Sequence, residues 1–196
     1  MVAGVLAVAA LPWCVQVLVW TWQRYVVPAT FHLPQDPWAV GCGVAGALLL
    51  MWWKKPNWFL HTLIHEAGHA LMCAALWVQI RSFRVSRDQG GEVAYDRPDP
   101  LRAALIGIAP YTVPLPLIPA LLIVRLAAEG TVWHVAGSAL SAFAYALHLQ
   151  SLWHNLRLNW RGDDSDLVRL GRPLAAVLIT GVLLLVTAWT VGMLWP

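Results

Sequence analysis

The stretch Asn57-Trp58-Phe59-Leu60-His61-Thr62-Leu63-Ile64-His65-Glu66-Ala67-Gly68-His69-Ala70-Leu71-Met72-Cys73-Ala74-Ala75-Leu76-Trp77-Val78 decides the fold of this chain. It reads as one apolar helix of membrane-spanning length, entered after the break Lys54-Lys55-Pro56 with Asn57 as its N-cap. Residues four apart share a helix face, so His65 and His69 present two imidazoles to one point. Glu66 is the only acidic residue between Asp36 and Asp88. A carboxylate placed in such a run is costly to bury and marks a functional position.

Composition says what surrounds that helix. The chain has 196 residues, of which 59% are hydrophobic and only 12% charged, where a soluble domain carries about 25% charged residues. The expectation is a single integral membrane domain over 1–196, all-α and polytopic, with a catalytic core over 57–170. Apolar runs near 2–22, 38–53, 57–79, 101–124, 131–156 and 173–195 predict about six transmembrane helices, the second short for a full span. The first run lacks a basic leader and a small-residue cleavage site, and is read as a retained span. Trp20, Trp22, Trp52, Trp53, Trp58, Trp153 and Trp195 sit at run ends, as in an interfacial belt. Cys14, Cys42 and Cys73 lie in apolar segments and read as small buried residues rather than a disulfide frame.

The net charge of +3 is modest and points away from nucleic acid. Ten of the thirteen Lys and Arg fall in the loops 23–37, 80–102 and 157–172, which share one side if all six runs span. The positive-inside rule makes that side cytoplasmic. Ile80 to Ser86 alternates apolar and polar residues, Gln89-Gly90-Gly91 turns, and Glu92 to Tyr95 alternates again. That is a β-hairpin signal, either a plain surface hairpin or an edge that holds an extended peptide by main-chain bonds. Pro110, Pro114, Pro116 and Pro119 make an uninterrupted helix over 101–124 untenable. Broken backbone at membrane depth fits a wall of a polar chamber or a kinked packing helix.

The chemistry follows from the H-E-x-x-H spacing of His65, Glu66 and His69. Two imidazoles with an oxygen ligand and an open position suit Zn2+ better than iron or copper. Glu66 stands beside the first ligand, placed to take a proton from water and give it to a leaving amine. A third protein ligand is required. The acidic segment Asp163-Asp164-Ser165-Asp166 supplies it, with Asp166 ahead of Asp163, although Ser165 or Asp166 could instead cap the last helix. His61 shares the motif face but lies about 12 Å along the axis from His69, too far to share one ion. It reads as a supporting residue, His148 and His154 as cavity-facing or hydrogen-bonded imidazoles, and His32 and His134 as residues touching water.

With these residues quoted, the chain resembles the site-2 protease family of intramembrane zinc metalloproteases, in particular its small bacterial branch. The resemblance rests on His65 to Leu71, the hairpin with Gly90-Gly91, the Ala109-Pro110 step and the Asn155-Leu156 to Ser165-Asp166 region. It implies zinc held by His65, His69 and a late aspartate, Glu66 as acid/base, and a bacterial inner (cytoplasmic) membrane. In the family's Asn-x-x-Pro…Leu-Asp-Gly pattern, Leu158 stands at the proline and no Asp-Gly follows. Counting from Asn155 lands on Asp163, whereas the small branch's Ser-Asp lands on Asp166. The expected activity is hydrolysis of peptide bonds in or near transmembrane segments of membrane-protein or peptide substrates. The expected surroundings are the lipid bilayer and a partner subunit or second copy of the chain. The rival readings are an inactive protease-like scaffold or regulatory subunit, and a transporter, which the lack of repeat symmetry disfavours.

Overall fold

The computed structural model describes residues 12, 13, 15, 16, 19, 20, 23, 36–53, 57–86, 90–160 and 165–194. From residue 36 on, the elements are α1 (Pro37–Trp53), α2 (Trp58–Ala75), β1 (Ile80–Ser86), β2 (Gly90–Tyr95), α3 (Pro100–Thr112), α4 (Leu117–Leu126), α5 (Val132–Asn159), α6 (Asp166–Leu170) and α7 (Arg172–Leu194). The predicted motif helix is α2, and Asn57 caps it, its side chain accepting from the Leu60 N–H at 3.2 Å. The expected hairpin is antiparallel, pairing Ser86 with Gly90, Val85 with Gly91 and Arg84 with Glu92, with one irregularity between Ile80 and Ser82.

The proline-rich run breaks as anticipated. Helices α3 and α4 meet at 75° across Val113 to Pro116. Pro110 stays inside α3 and Pro119 lies in the first turn of α4, where a missing N–H costs little. Asp99 starts α3 by accepting from the Leu101 and Arg102 N–H groups.

The described residues bear out a mostly helical chain but not all six expected spans. Among the described residues only α7 is long and apolar enough to cross a membrane, or two spans if the bent α3–α4 pair counts as one. The reason lies in the residues. Helix α1 stops at 17 residues. Helix α2 gives up apolar positions to His61, His65, Glu66 and His69, and α5 to His148, Gln150, His154, Asn155 and Asn159. Most of the run 2–22 lies outside the described residues.

Helix α5 is the spine, packing along α1 and α4, while α2 lies on α3 and the hairpin. Tyr111, Leu152, Leu167, Ala175 and Ile179 form one apolar cluster that joins α3, α5, α6 and α7. Large apolar side chains such as Trp52, Trp53 and Trp153 face outward. Cys73 is buried as expected, but Cys42 is exposed among the described residues. Cys14, Trp22 and Trp195 lie outside the described residues. His134, expected to touch water, is instead 4% exposed and bonded through Nδ1 to Asp36 Oδ2 at 2.7 Å, tying the starts of α5 and α1 together.

Candidate metal centre

One turn of α2 and one residue of α6 converge. A ligand atom from each of His65, His69 and Asp166 lies within 4.8 Å of the other two. His69 is buried, and its Nδ1–H donates to the Ile106 carbonyl of α3 at 2.8 Å. A carbonyl oxygen only accepts, so the proton sits on Nδ1 and the Nε2 lone pair faces outward. What it faces is Asp166 Oδ2, at 3.3 Å. An acceptor opposite a carboxylate needs positive charge on or between them, a proton or a metal ion. Burial opposes the charge on Asp166, yet His69, with His65 and Arg169 behind it, holds this carboxyl below the usual carboxylate range.

The donor set fits zinc. Two neutral imidazoles and a carboxylate form a three-ligand set that leaves a fourth position open. Tetrahedral zinc spaces its ligands by roughly 3.3 Å, so His69 and Asp166 already stand at that separation. His65 Nδ1 is buried with no hydrogen-bond partner among the described residues, an unmet demand beside the cluster. The His65 ring is held edge to face by His69 on one side, centroids 5.1 Å apart, and by Tyr111 on the other at 5.6 Å.

The cap position and the candidate ligand at the start of α6 fall on neighbouring residues. Ser165 takes the N-cap position of α6, and its hydroxyl donates to the Asn159 carbonyl at 2.6 Å. Asp166 is thereby the first residue of the helix, its carboxylate free to turn toward His69. Leu167, fully buried in the apolar cluster, anchors it from the next position. The alternative Asp163 lies outside the described residues.

Glu66 is buried beside the cluster, with β2 lying on it. A Cβ on Gly91 would overlap Glu66 Cγ and come within 2.8 Å of Thr62 Cγ2, so only glycine permits this approach. The proline-rich run also borders the motif helix, Pro110 standing against Gly68. His61 lies one turn away, bonded to Ser151 Oγ at 3.1 Å and stacked edge to face on His154 at 5.0 Å, and takes no part in the cluster. His148 is buried on α5, also outside it. The sequence reading did not single out the Ile106 carbonyl, whose one signal is indirect, the missing N–H of Pro110 four residues later.

The fold and this donor set define a helical metallopeptidase-like protein. The family model described as Peptidase M50B-like matches residues 40–160, and the chain belongs to that family, the M50 or site-2 protease group. Peptidases of the group are membrane-embedded and in general zinc-dependent. Comparison with curated proteins and with solved structures yields no match.

Proposed function

We propose that this chain is an intramembrane zinc metalloprotease that hydrolyses peptide bonds in or near transmembrane segments of membrane-protein substrates. One observation carries the reading: the His69 lone pair faces the Asp166 carboxylate at 3.3 Å, with His65 and Glu66 beside them. Bound there by His65, His69 and Asp166, zinc would supply a Lewis acid for a carbonyl oxygen and make water acidic enough to be used at neutral pH. Glu66 takes a proton from the attacking water and returns it to the amine nitrogen as the C–N bond breaks. Asp166 balances cationic charge, and the Ile106 carbonyl keeps His69 in one tautomer.

The hairpin supplies the peptide-binding element. With glycine at 91, β2 brings bare main chain to Glu66, and an extended segment added along the sheet edge is delivered to the same place. The exposed apolar side chains are covered by lipid, and a bacterial inner membrane and a second copy or partner subunit complete the setting. The second reading, a non-proteolytic scaffold, is favoured by Leu158 and the missing Asp-Gly of the family pattern.

The test is zinc per chain by elemental analysis of detergent-purified protein, joined to cleavage of a quenched-fluorescence peptide built on an apolar segment. About one zinc, with cleavage lost in Glu66→Gln, is the expected result. Zinc without Glu66-dependent cleavage leaves the scaffold. Absence of zinc in protein purified without chelator removes the enzyme.

A further inference from the structure

We infer that Pro110 and Gly68 act as a pair of positioning residues that set the His69 ring for metal binding, through the main chain of α3. The inference deepens the metalloprotease reading and rests on it for its purpose, though not for its geometry.

In an α-helix the N–H of residue 110 would bond the carbonyl of residue 106. Proline has no N–H, and its ring crowds the carbonyl four residues back. Pro110 therefore leaves the Ile106 oxygen without a helical partner, in the middle of a helix whose Ile106 is fully buried. A buried carbonyl left in this way costs free energy until something donates to it. The donor is His69 Nδ1–H, at 2.8 Å.

The gap is confined to that oxygen. Beyond the proline, Thr112 Oγ1 donates to the Ile108 carbonyl at 2.9 Å and the Val113 N–H to the Ala109 carbonyl at 2.8 Å. The helix thus continues to its end, and a single acceptor is turned toward α2.

Reach is the second requirement, and Gly68 provides it. A Cβ on Gly68 would stand 3.1 Å from Pro110 Cα and 3.2 Å from Pro110 N, tighter than ordinary van der Waals contact. The helices α2 and α3 therefore touch backbone to backbone at Gly68 and Pro110. The next residue along α2, His69, then meets the carbonyl one turn before the proline. The same bond leaves the Nε2 lone pair pointing at Asp166 Oδ2. A helix break and a close approach are converted into one imidazole tautomer.

The test uses the full chain in detergent, labelled with 15N-histidine and read by NMR without zinc at a pH high enough to leave His69 neutral, so that no proton bridges Nε2 and Asp166, with zinc affinity measured separately against a competing chelator. Wild type is expected to hold His69 as the Nδ1–H tautomer. Pro110→Ala restores an N–H that competes for the Ile106 oxygen, so His69 becomes a tautomer mixture and zinc binds about 10- to 100-fold more weakly. Gly68→Ala, which separates the helices without touching the proline, shifts both readouts the same way. A merely structural proline would lower stability but leave the tautomer unmoved. Wild-type tautomer and zinc affinity in both variants overturn the inference, as does an Nε2–H tautomer in wild type. Should wild type bind no zinc at all, the metalloprotease reading fails, while the tautomer comparison still decides this one.

Discussion

Helix α2 carries two histidine groups one turn apart, and they behave differently. His65 and His69 converge with Asp166, and an imidazole lone pair looks at a carboxylate. His61 meets Ser151 and the ring of His154, with a hydroxyl that can donate or accept as needed. The first arrangement demands a cation, whereas in the second His61 is met by a neutral hydroxyl. Histidines on one helix face do not make a metal site. An anionic ligand and a fixed tautomer do, and both reach α2 from elsewhere in the chain, from α6 and α3.

That contrast can be attacked from several directions. The largest effect falls on Glu66→Gln, which should cut peptide turnover by about 100- to 10,000-fold with zinc content unchanged. A variant that loses zinc instead would make Glu66 part of the metal cradle. Next comes Asp166→Ala set against His154→Ala. The first should weaken zinc by more than the roughly 10- to 100-fold that loss of an outer partner brings, and the second should leave about one zinc per chain. Zinc loss in His154→Ala would erase the distinction between the two groups. Gly91→Ala drives a methyl into Glu66, and relieving that clash should cost about 1–3 kcal/mol. Turnover should fall while zinc stays, as cleavage and elemental analysis of one preparation would reveal. The smallest change is Ser151→Ala, which removes one hydrogen bond to His61. About 1 kcal/mol of stability, read from thermal unfolding in detergent, with unaltered turnover is the expected outcome.

Much of this architecture is legible in the residues. Asn57, the His65–His69 spacing and the alternation across Ile80 to Tyr95 each specify local geometry, and α2 and the hairpin follow them. The prolines announce a break, but not where it falls, since Pro110 and Pro119 are absorbed into helices and the turn lies at Val113 to Pro116. Ser165 and Asp166 are both good caps by type, so only their placement shows that Ser165 takes the N-cap position and Asp166 the first turn. The His134–Asp36 pair joins residues 98 apart, beyond any local pattern. Run length alone suggests six spans, whereas the polar residues that interrupt α2 and α5 leave one or two described helices that qualify by length and composition. The Ile106 acceptor was readable in principle, four residues before Pro110, once a partner for it was sought.

Asp166 comes to the histidines from a point about a hundred residues further along the chain. An ion gripped by all three therefore closes a loop of that length, as a disulfide would. In the chain-entropy account a covalent tie of that span removes nearly 5 kcal/mol of freedom from the unfolded state. A metal tie is reversible and works only while the ion is bound, so its strength is set by free zinc. A centre proposed to cut other chains would on this view also be a clasp on its own, and zinc starvation would be felt as loosening of the protein as well as loss of turnover.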